Sequence, residues 1–180
     1  MNLVHRIFLA ALLLVSTPLA AQTIALVADL NGRYGSTEYH SRVSTAVEEI
    51  IRLGPDLVIS AGDMVAGQKQ PLLDQQQLDR MWASFNRVVT DPLEGAGIDF
   101  IITPGNHDGS AYREFELEQV RFQAQWHGRR PELSLLQGSD WPRRYALWLG
   151  KVLIITIDGT RPGGLQDADL NLLLDTLARE

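Results

Sequence analysis

Short apolar runs alternate along this chain with stretches in which apolar residues recur every three or four positions. Three of the runs, residues 23–28, 57–61 and 100–104, are short enough for buried strands. The stretches between them have the spacing of amphipathic helices. Strands that alternate with helices predict an α/β fold, in which a largely parallel sheet is covered by helices.

Four helices are predicted from this spacing. The first ends before Gly54, the second is interpreted as a helix packed on the sheet, and the third is a weaker stretch over residues 112–126. The apolar faces of the first, second and fourth helices consist, in that order, of Val43, Val47, Ile50 and Ile51; of Leu78, Met81, Trp82, Phe85, Val88 and Val89; and of Leu170, Leu173, Leu174 and Leu177.

Turn residues divide the second half of the chain. Proline and glycine predict a loop over residues 91–97. Residues 143–149 and 151–157 are predicted to form a hairpin that turns at Gly150, so the sheet is mixed or a second sheet begins there. Asp158 follows the hairpin, and because a turn or cap role suits it at least as well as a ligand role, it is left out of the site.

The first 21 residues have the organisation of a secretory signal peptide. Arg6 precedes an apolar stretch over residues 7–15, and the small residues Ala20 and Ala21 follow. The apolar stretch is shorter than the ~20 residues that span a bilayer, which argues against a membrane anchor. We therefore expect cleavage after this segment, a periplasmic or secreted protein, and a single domain over residues 22–180 with no membrane segment.

Composition narrows the chemistry further. The 180-residue chain has a formal net charge of -6 with scattered charges, so it is a poor candidate for coating nucleic acid. It contains no cysteine, which excludes disulfides, thiolate metal sites and cysteine nucleophiles. No glycine-rich phosphate-binding motif follows a predicted strand, which disfavours a mononucleotide binder.

Polar side chains follow each of the three predicted strands. Asp29 and Asn31 come after the first strand, Asp63 after the second, and Asn106 and His107 after the third. Because the carboxyl ends of parallel strands meet at one edge of a sheet, we expect these side chains to share a pocket. Neighbouring carboxylates repel unless one of them is protonated or a cation lies between them. Oxygen ligands with some imidazole suit Mg²⁺, Mn²⁺, Fe or Zn²⁺.

Each motif also has a purely structural interpretation. Asp29 or Asp63 alone would be interpreted as a helix N-cap after a strand. The segment 105–109 would be interpreted as an Asx-type turn between two glycines. The presence of all three motifs in one chain favours the metal site.

The order D-x-[HN], G-D and G-N-H-[DE], with each motif after a strand, resembles the calcineurin-like metallophosphoesterases from about Ile24 onward. The resemblance implies an α/β fold of the α-β-β-α sandwich type, with mixed sheets flanked by helices. It also implies hydrolysis of small-molecule phosphate mono- or diesters at two divalent metal ions, by attack of a metal-bound hydroxide on phosphorus.

Carried over position by position, the resemblance assigns the metal ligands. Asp29 and Asn31 would ligate the first ion, and Asp63 would bridge both ions. Asn106 would ligate the second ion through its amide oxygen. The family usually has histidine where this chain has Asn31; because an amide oxygen is a harder donor than an imidazole nitrogen, we expect Mn²⁺ or Mg²⁺ to be preferred over Zn²⁺.

The same resemblance assigns the catalytic residues. His107 would bind the substrate phosphate or protonate the leaving oxygen, and Asp108 would orient His107 and fix its tautomer. Residues 64–67 replace an acidic residue or asparagine that the family often has after G-D, and no G-H-x-H motif follows His107. The resemblance therefore implies a domain that is incomplete at its C-terminus. It leaves open a catalytically incomplete phosphoesterase fold that binds a ligand or partner without turnover.

Overall fold

Three parallel strands form the main sheet of the protein. The computed structural model describes residues 21–179, in which β1 (Ile24–Val27), β2 (Leu57–Ser60) and β3 (Phe100–Ile102) lie in the order β1-β2-β3. Both pairings are parallel, so the carboxyl ends of the strands meet at one edge. The three predicted strands are confirmed.

Helices connect these strands and cover the sheet. α1 is capped by His40, whose side chain accepts a hydrogen bond from the N–H of Arg42 at 3.1 Å, and it ends at Gly54 with a φ of 59°. Its predicted core face is confirmed for Val43 and Val47, which are buried. The helical elements of the described residues are α1 (Ser41–Leu53), α2 (Gln75–Phe85), a π-helical turn (Asn86–Thr90), α3 (Asp91–Gly95), α4 (Asn106–Gly109), a 3-10 turn (Arg113–Phe115), α5 (Glu116–His127) and α6 (Asp167–Arg179).

The apolar stripe predicted over residues 78–89 lies in the core. Trp82 and Phe85 are buried and pack edge-to-face, with ring centroids 5.9 Å apart. The predicted loop over residues 91–97 is wrong over its first part, because the chain continues as α3. Pro92 lies in the first turn of α3, and the chain enters this turn from the preceding π-helical turn without a break, because Thr90 and Asp91 both have right-handed helical backbone.

The predicted hairpin is confirmed as β4 (Tyr145–Leu149) and β5 (Val152–Thr156), which pair antiparallel. The two strands turn at Gly150, which has a φ of 56°. They form a sheet of their own, separate from β1–β3. Parallel and antiparallel sheets flanked by helices confirm the predicted fold class.

The hydroxyl group of Tyr145 links the second sheet to β3. It accepts a hydrogen bond from the N–H of Ile102 at 2.9 Å and donates one to the carbonyl of the same residue. The N–H of Thr103 donates to the carbonyl of Ser60 in β2 at 2.9 Å, so the backbone groups of Ile102 point to the opposite edge of β3. Tyr145 therefore occupies the outer edge of the main sheet.

α6 is present as predicted, but it buries a different face. Leu172 is buried together with Asp169 and Thr176. Leucines occur on several sides of this helix, so their spacing alone does not determine which side is buried. Three leucines of the predicted face are instead largely exposed: Leu170 at 43 %, Leu174 at 55 % and Leu177 at 58 %.

The predicted signal peptide over residues 1–21 lies outside the described residues, apart from Ala21. Its removal on export stays a prediction. Among the helices of residues 21–179, none combines the length and the apolar character needed to cross a bilayer.

Candidate functional site

The loops that follow β1 and β2 are hydrogen-bonded to each other at the carboxyl edge of the sheet. The N–H of Asp29 donates to the carbonyl of Gly62 at 3.2 Å, and the N–H of Asn31 donates to the carbonyl of Asp63 at 3.1 Å. These bonds extend the β1–β2 pairing beyond the ends of the strands. The structure therefore brings Asp29, Asn31 and Asp63 together.

Both aspartates have a left-handed backbone, with φ values of 53° at Asp29 and 55° at Asp63. Few residues other than glycine adopt this conformation, and aspartate is among those that tolerate it. Neither residue caps a helix, because α1 is capped by His40 and α2 by Asp74. The N-cap interpretation is thus wrong for both, and two such backbone positions side by side are typical of a functional site.

The loop after β3 packs directly against the loop after β2. A Cβ atom on Gly62 would lie 2.5 Å from the backbone nitrogen of Gly105, and one on Gly105 would overlap the backbone nitrogen and side chain of Asp63. Only glycine fits at these two positions. This close approach explains why glycine precedes both polar motifs, and it places Asn106 and His107 beside Asp63.

His107 is held through its backbone and through its ring. Its N–H donates to Oδ1 of Asp63 at 3.0 Å, and its Nδ1 lies 3.2 Å from the carbonyl oxygen of Gly67. A carbonyl oxygen only accepts, so Nδ1 carries a proton. Nε2 has no hydrogen-bond partner within residues 21–179, and the ring packs on that of Tyr34 with centroids 4.9 Å apart.

Asp108 does not orient His107, which corrects the prediction. Its Oδ1 accepts from the N–H of Met64 at 2.8 Å and its Oδ2 from the N–H of Gly105 at 3.0 Å, while the Gly67 carbonyl fixes the His107 ring. The pKa of Asp108 is raised to about 7: burial is the largest cause, the nearby charge of Asp63 adds to it, and hydrogen bonds from backbone N–H groups oppose the shift. Asp108 instead joins the second and third loops beneath the site.

Asn106 is exposed, and its amide is oriented by Gln68. Nδ2 of Asn106 donates to Oε1 of Gln68 at 3.0 Å, and Nε2 of Gln68 donates to the hydroxyl oxygen of Ser110 at 3.0 Å. Oδ1 of Asn106 is left without a partner among the described residues. A free amide oxygen is what a metal ligand requires, but Asn106 lies beside the cavity that the other site residues share and does not line it.

Two residues of this network were not identified from the sequence. The N–H of Gln68 donates to both carboxylate oxygens of Glu118, each at 2.9 Å, and Glu118 is buried. Burial raises the pKa of Glu118, while the N–H of Gln68 and the charge of His107 lower it. The polar loop after Gly67 was the one local signal for Gln68, and Glu118 had none.

Four of the six predicted site residues and His107's stacking partner surround one cavity of about 430 Å³. Its lining residues are Asp29, Asn31, Gly32, Arg33, Tyr34, Asp63 and His107. Across residues 21–179, no three or more His, Asp or Glu side chains are arranged to hold a metal ion. The donors at this edge are therefore two carboxylates supplemented by asparagine amides, an oxygen-rich set that fits a hard divalent cation.

Asp158 has a turn role, which the sequence had left open beside a ligand role. Its Oδ1 accepts from the N–H of Thr160 at 3.0 Å and from the hydroxyl group of Thr160 at 2.7 Å. Nε of Arg143 lies 3.7 Å from its other carboxylate oxygen. These contacts account for its burial without a metal ion.

The fold and the site define an α/β protein with a carboxylate-containing cavity at the carboxyl ends of parallel strands. A family model for calcineurin-like phosphoesterases matches residues 22–173. The chain belongs to this family, which in general uses divalent metal ions and carries out hydrolase chemistry on phosphate esters. A comparison with curated proteins found no match.

Proposed function

We propose that the protein hydrolyses phosphate mono- or diesters at two divalent metal ions. The observation that carries the proposal is the shared cavity in which Asp29 and Asp63, at the ends of adjacent strands, lie beside His107 with its Nε2 free. Two carboxylates that line the same cavity favour bound cations, since like charges in one cavity repel. The family match supports the same reaction class.

Four residues would hold the metal ions. Asp29, Asn31 and Asp63 would ligate at the ends of β1 and β2, and Asn106 would contribute the amide oxygen that its bond to Gln68 leaves free. When bound, such ions lower the pKa of a coordinated water toward 7 and offset the charge of the phosphate. The all-oxygen donor set favours Mn²⁺ or Mg²⁺ over Zn²⁺.

His107 would act on the substrate through Nε2. Because Nδ1 keeps its proton for the Gly67 carbonyl, Nε2 is the atom available to a phosphate oxygen or to the leaving oxygen. In the protonated ring, Nε2–H donates to that oxygen and can transfer its proton as the ester bond breaks. The backbone bond to Asp63 keeps the ring at the cavity.

The proposal is tested with the full chain, stripped of metal and reloaded with Mn²⁺, Mg²⁺ or Zn²⁺. Rates are measured on p-nitrophenyl phosphate and bis(p-nitrophenyl) phosphate, and bound metal is measured in parallel. Asp63→Asn should lose metal, whereas His107→Gln should keep metal and lose about 10²- to 10⁴-fold in kcat. His127→Gln, at an exposed histidine that ends α5, is the matched control and should behave like the parent.

Three results would count against the proposal. Equal rates in the parent, Asp63→Asn and His107→Gln would remove the assigned site. Metal binding without turnover on either ester would refute the hydrolase assignment. The highest rate with Zn²⁺ would refute the preference attributed to Asn31.

A further inference from the structure

A β-turn at the mouth of the cavity presents an aromatic ring and a cation. We propose that this turn, residues 33–36, binds substrates whose leaving group carries a planar aromatic ring, with Tyr34 packing on that ring and Arg33 contacting the phosphate. The inference rests on the proposed function and names its substrate class. It is carried by the geometry of the turn, by the exposure of Tyr34 and by an Arg33 guanidinium that has no partner among residues 21–179.

The turn is fixed in place by backbone and side-chain bonds. The N–H of Ser36 donates to the carbonyl of Arg33 at 2.8 Å, which closes the turn, and Gly35 has the positive φ, 75°, that type II turns need at their third position. The N–H of Gly35 donates to the carbonyl of Ala66 at 2.6 Å, and Nε2 of Gln77 donates to the carbonyl of Gly35 at 2.7 Å. A turn anchored from both sides holds its tip in a fixed position over the cavity.

Tyr34 is the tip of this turn. It lines the cavity and is 59 % exposed, so it contributes little to the core. Part of its ring packs on the His107 ring at 4.9 Å with a tilt of 37°. The rest is open, and an open aromatic surface next to the residue assigned to the leaving oxygen suits a ring on the leaving group.

Arg33 is an exposed cation on the same wall. Within residues 21–179 its guanidinium has no carboxylate partner and no hydrogen bond, and among the exposed arginines in that state it is the one that lines the cavity with Asp29, Asp63 and His107. The two carboxylates that share its cavity, Asp29 and Asp63, are the proposed metal ligands. The Arg33 guanidinium therefore remains available for the anionic phosphate, for which its planar donors are well suited.

The test measures binding rather than turnover. Calorimetry on the full chain loaded with Mn²⁺ compares phenylphosphonate with methylphosphonate, which share the anion and differ in the ring. The parent should bind phenylphosphonate about 3- to 10-fold more tightly, the range expected for one aromatic contact. Tyr34→Ala should reduce this ratio to near one, and Tyr34→Phe should preserve it. Arg33→Gln should weaken both ligands by a similar factor and leave the ratio unchanged.

Tyr112→Ala is the matched control, because Tyr112 is 49 % exposed and does not line the cavity. An unchanged ratio in Tyr34→Ala, an equal loss in Tyr112→Ala, or no preference of the parent for any ring-bearing ligand would each overturn the inference. A parallel comparison of adenosine 5′-monophosphate with ribose 5-phosphate tests a nucleobase in place of a single phenyl ring. The pair with the larger ratio of affinities, ring-bearing over ring-free ligand, shows which kind of ring the site prefers. A Tyr34-dependent ratio without hydrolysis of any ester would retain the ring site and refute the proposed function alone.

Discussion

Replacing Tyr145 by phenylalanine removes one buried hydroxyl group and keeps the ring. That hydroxyl is the hydrogen-bond partner of both the N–H and the carbonyl of Ile102 at the outer edge of β3. Tyr145 and Ile102 are both 0 % exposed, so water cannot replace the hydroxyl without opening the core. Tyr145→Phe therefore leaves one buried donor and one buried acceptor unpaired.

The expected loss of stability follows from these two groups. A buried polar group that loses its partner costs about 1–3 kcal/mol, and a carbonyl tolerates the loss better than an N–H, so the pair should cost about 2–4 kcal/mol. For a domain of this size, each kcal/mol lowers Tm by about 2–4 °C, which gives a fall on the order of 5–15 °C.

Urea unfolding of the full chain, followed by tryptophan fluorescence, measures the change. The midpoint should fall while the m-value stays the same, because the surface exposed on unfolding does not change. Tyr112→Phe serves as the control: Tyr112 is exposed, and removing its hydroxyl group should lower the free energy of unfolding by less than about 0.5 kcal/mol. A loss below about 1 kcal/mol in Tyr145→Phe would refute the idea that its hydroxyl satisfies the edge of β3.

Three further predictions concern the site network and the N-terminus. Gln68→Met keeps the approximate shape of the side chain but removes the acceptor that orients the side-chain amide of Asn106. The Mn²⁺ affinity, measured by calorimetry, should therefore fall about 10- to 100-fold. Gln76→Met, at an exposed position, is the control and should leave the Mn²⁺ affinity unchanged. The stability that a protonated Glu118 contributes is fully present below its unfolded pKa of 4.5 and is lost as the pH rises through its raised folded pKa. As the pH rises from 4.5 through the folded pKa, the free energy of unfolding of the parent should therefore fall relative to that of Glu118→Gln. Plots of the free energy of unfolding against pH that run parallel for the two proteins would contradict this. N-terminal sequencing of protein recovered from the periplasm or medium should begin close to Ala21, and an intact Met1 there would refute export with cleavage.

The sequence was informative where a structural feature is local. Each strand is a continuous apolar run, so β1–β3 and the hairpin could be placed from hydrophobicity alone. The strand-end positions of Asp29 and Asp63 follow from the same runs, because a polar residue directly after a buried strand lies at the edge of the sheet.

Features that depend on distant partners were missed. Gln68 bonds to Asn106 across 38 positions and to Glu118 across 50, and no local pattern encodes such contacts. The partner of Asp108 was predicted wrongly for the same reason, since its carboxylate bonds to Met64, which is 44 positions away. The buried face of α6 was wrong because its leucines lie on several sides of the helix, and only the packing determines which side meets the core.

The interlocked loops also determine how the site opens. The backbone N–H of Asn31 donates to the backbone carbonyl of Asp63, and the backbone N–H of His107 donates to the Asp63 carboxylate. The backbone N–H of Gly67 donates to the backbone carbonyl of His107, so each loop is hydrogen-bonded to an adjoining loop. Each of these N–H groups must break a hydrogen bond to an adjoining loop before it can exchange with solvent. In a deuterium-exchange experiment, the three amides should then share a single opening free energy, and the ligands of both proposed ions would be assembled or lost in one cooperative step.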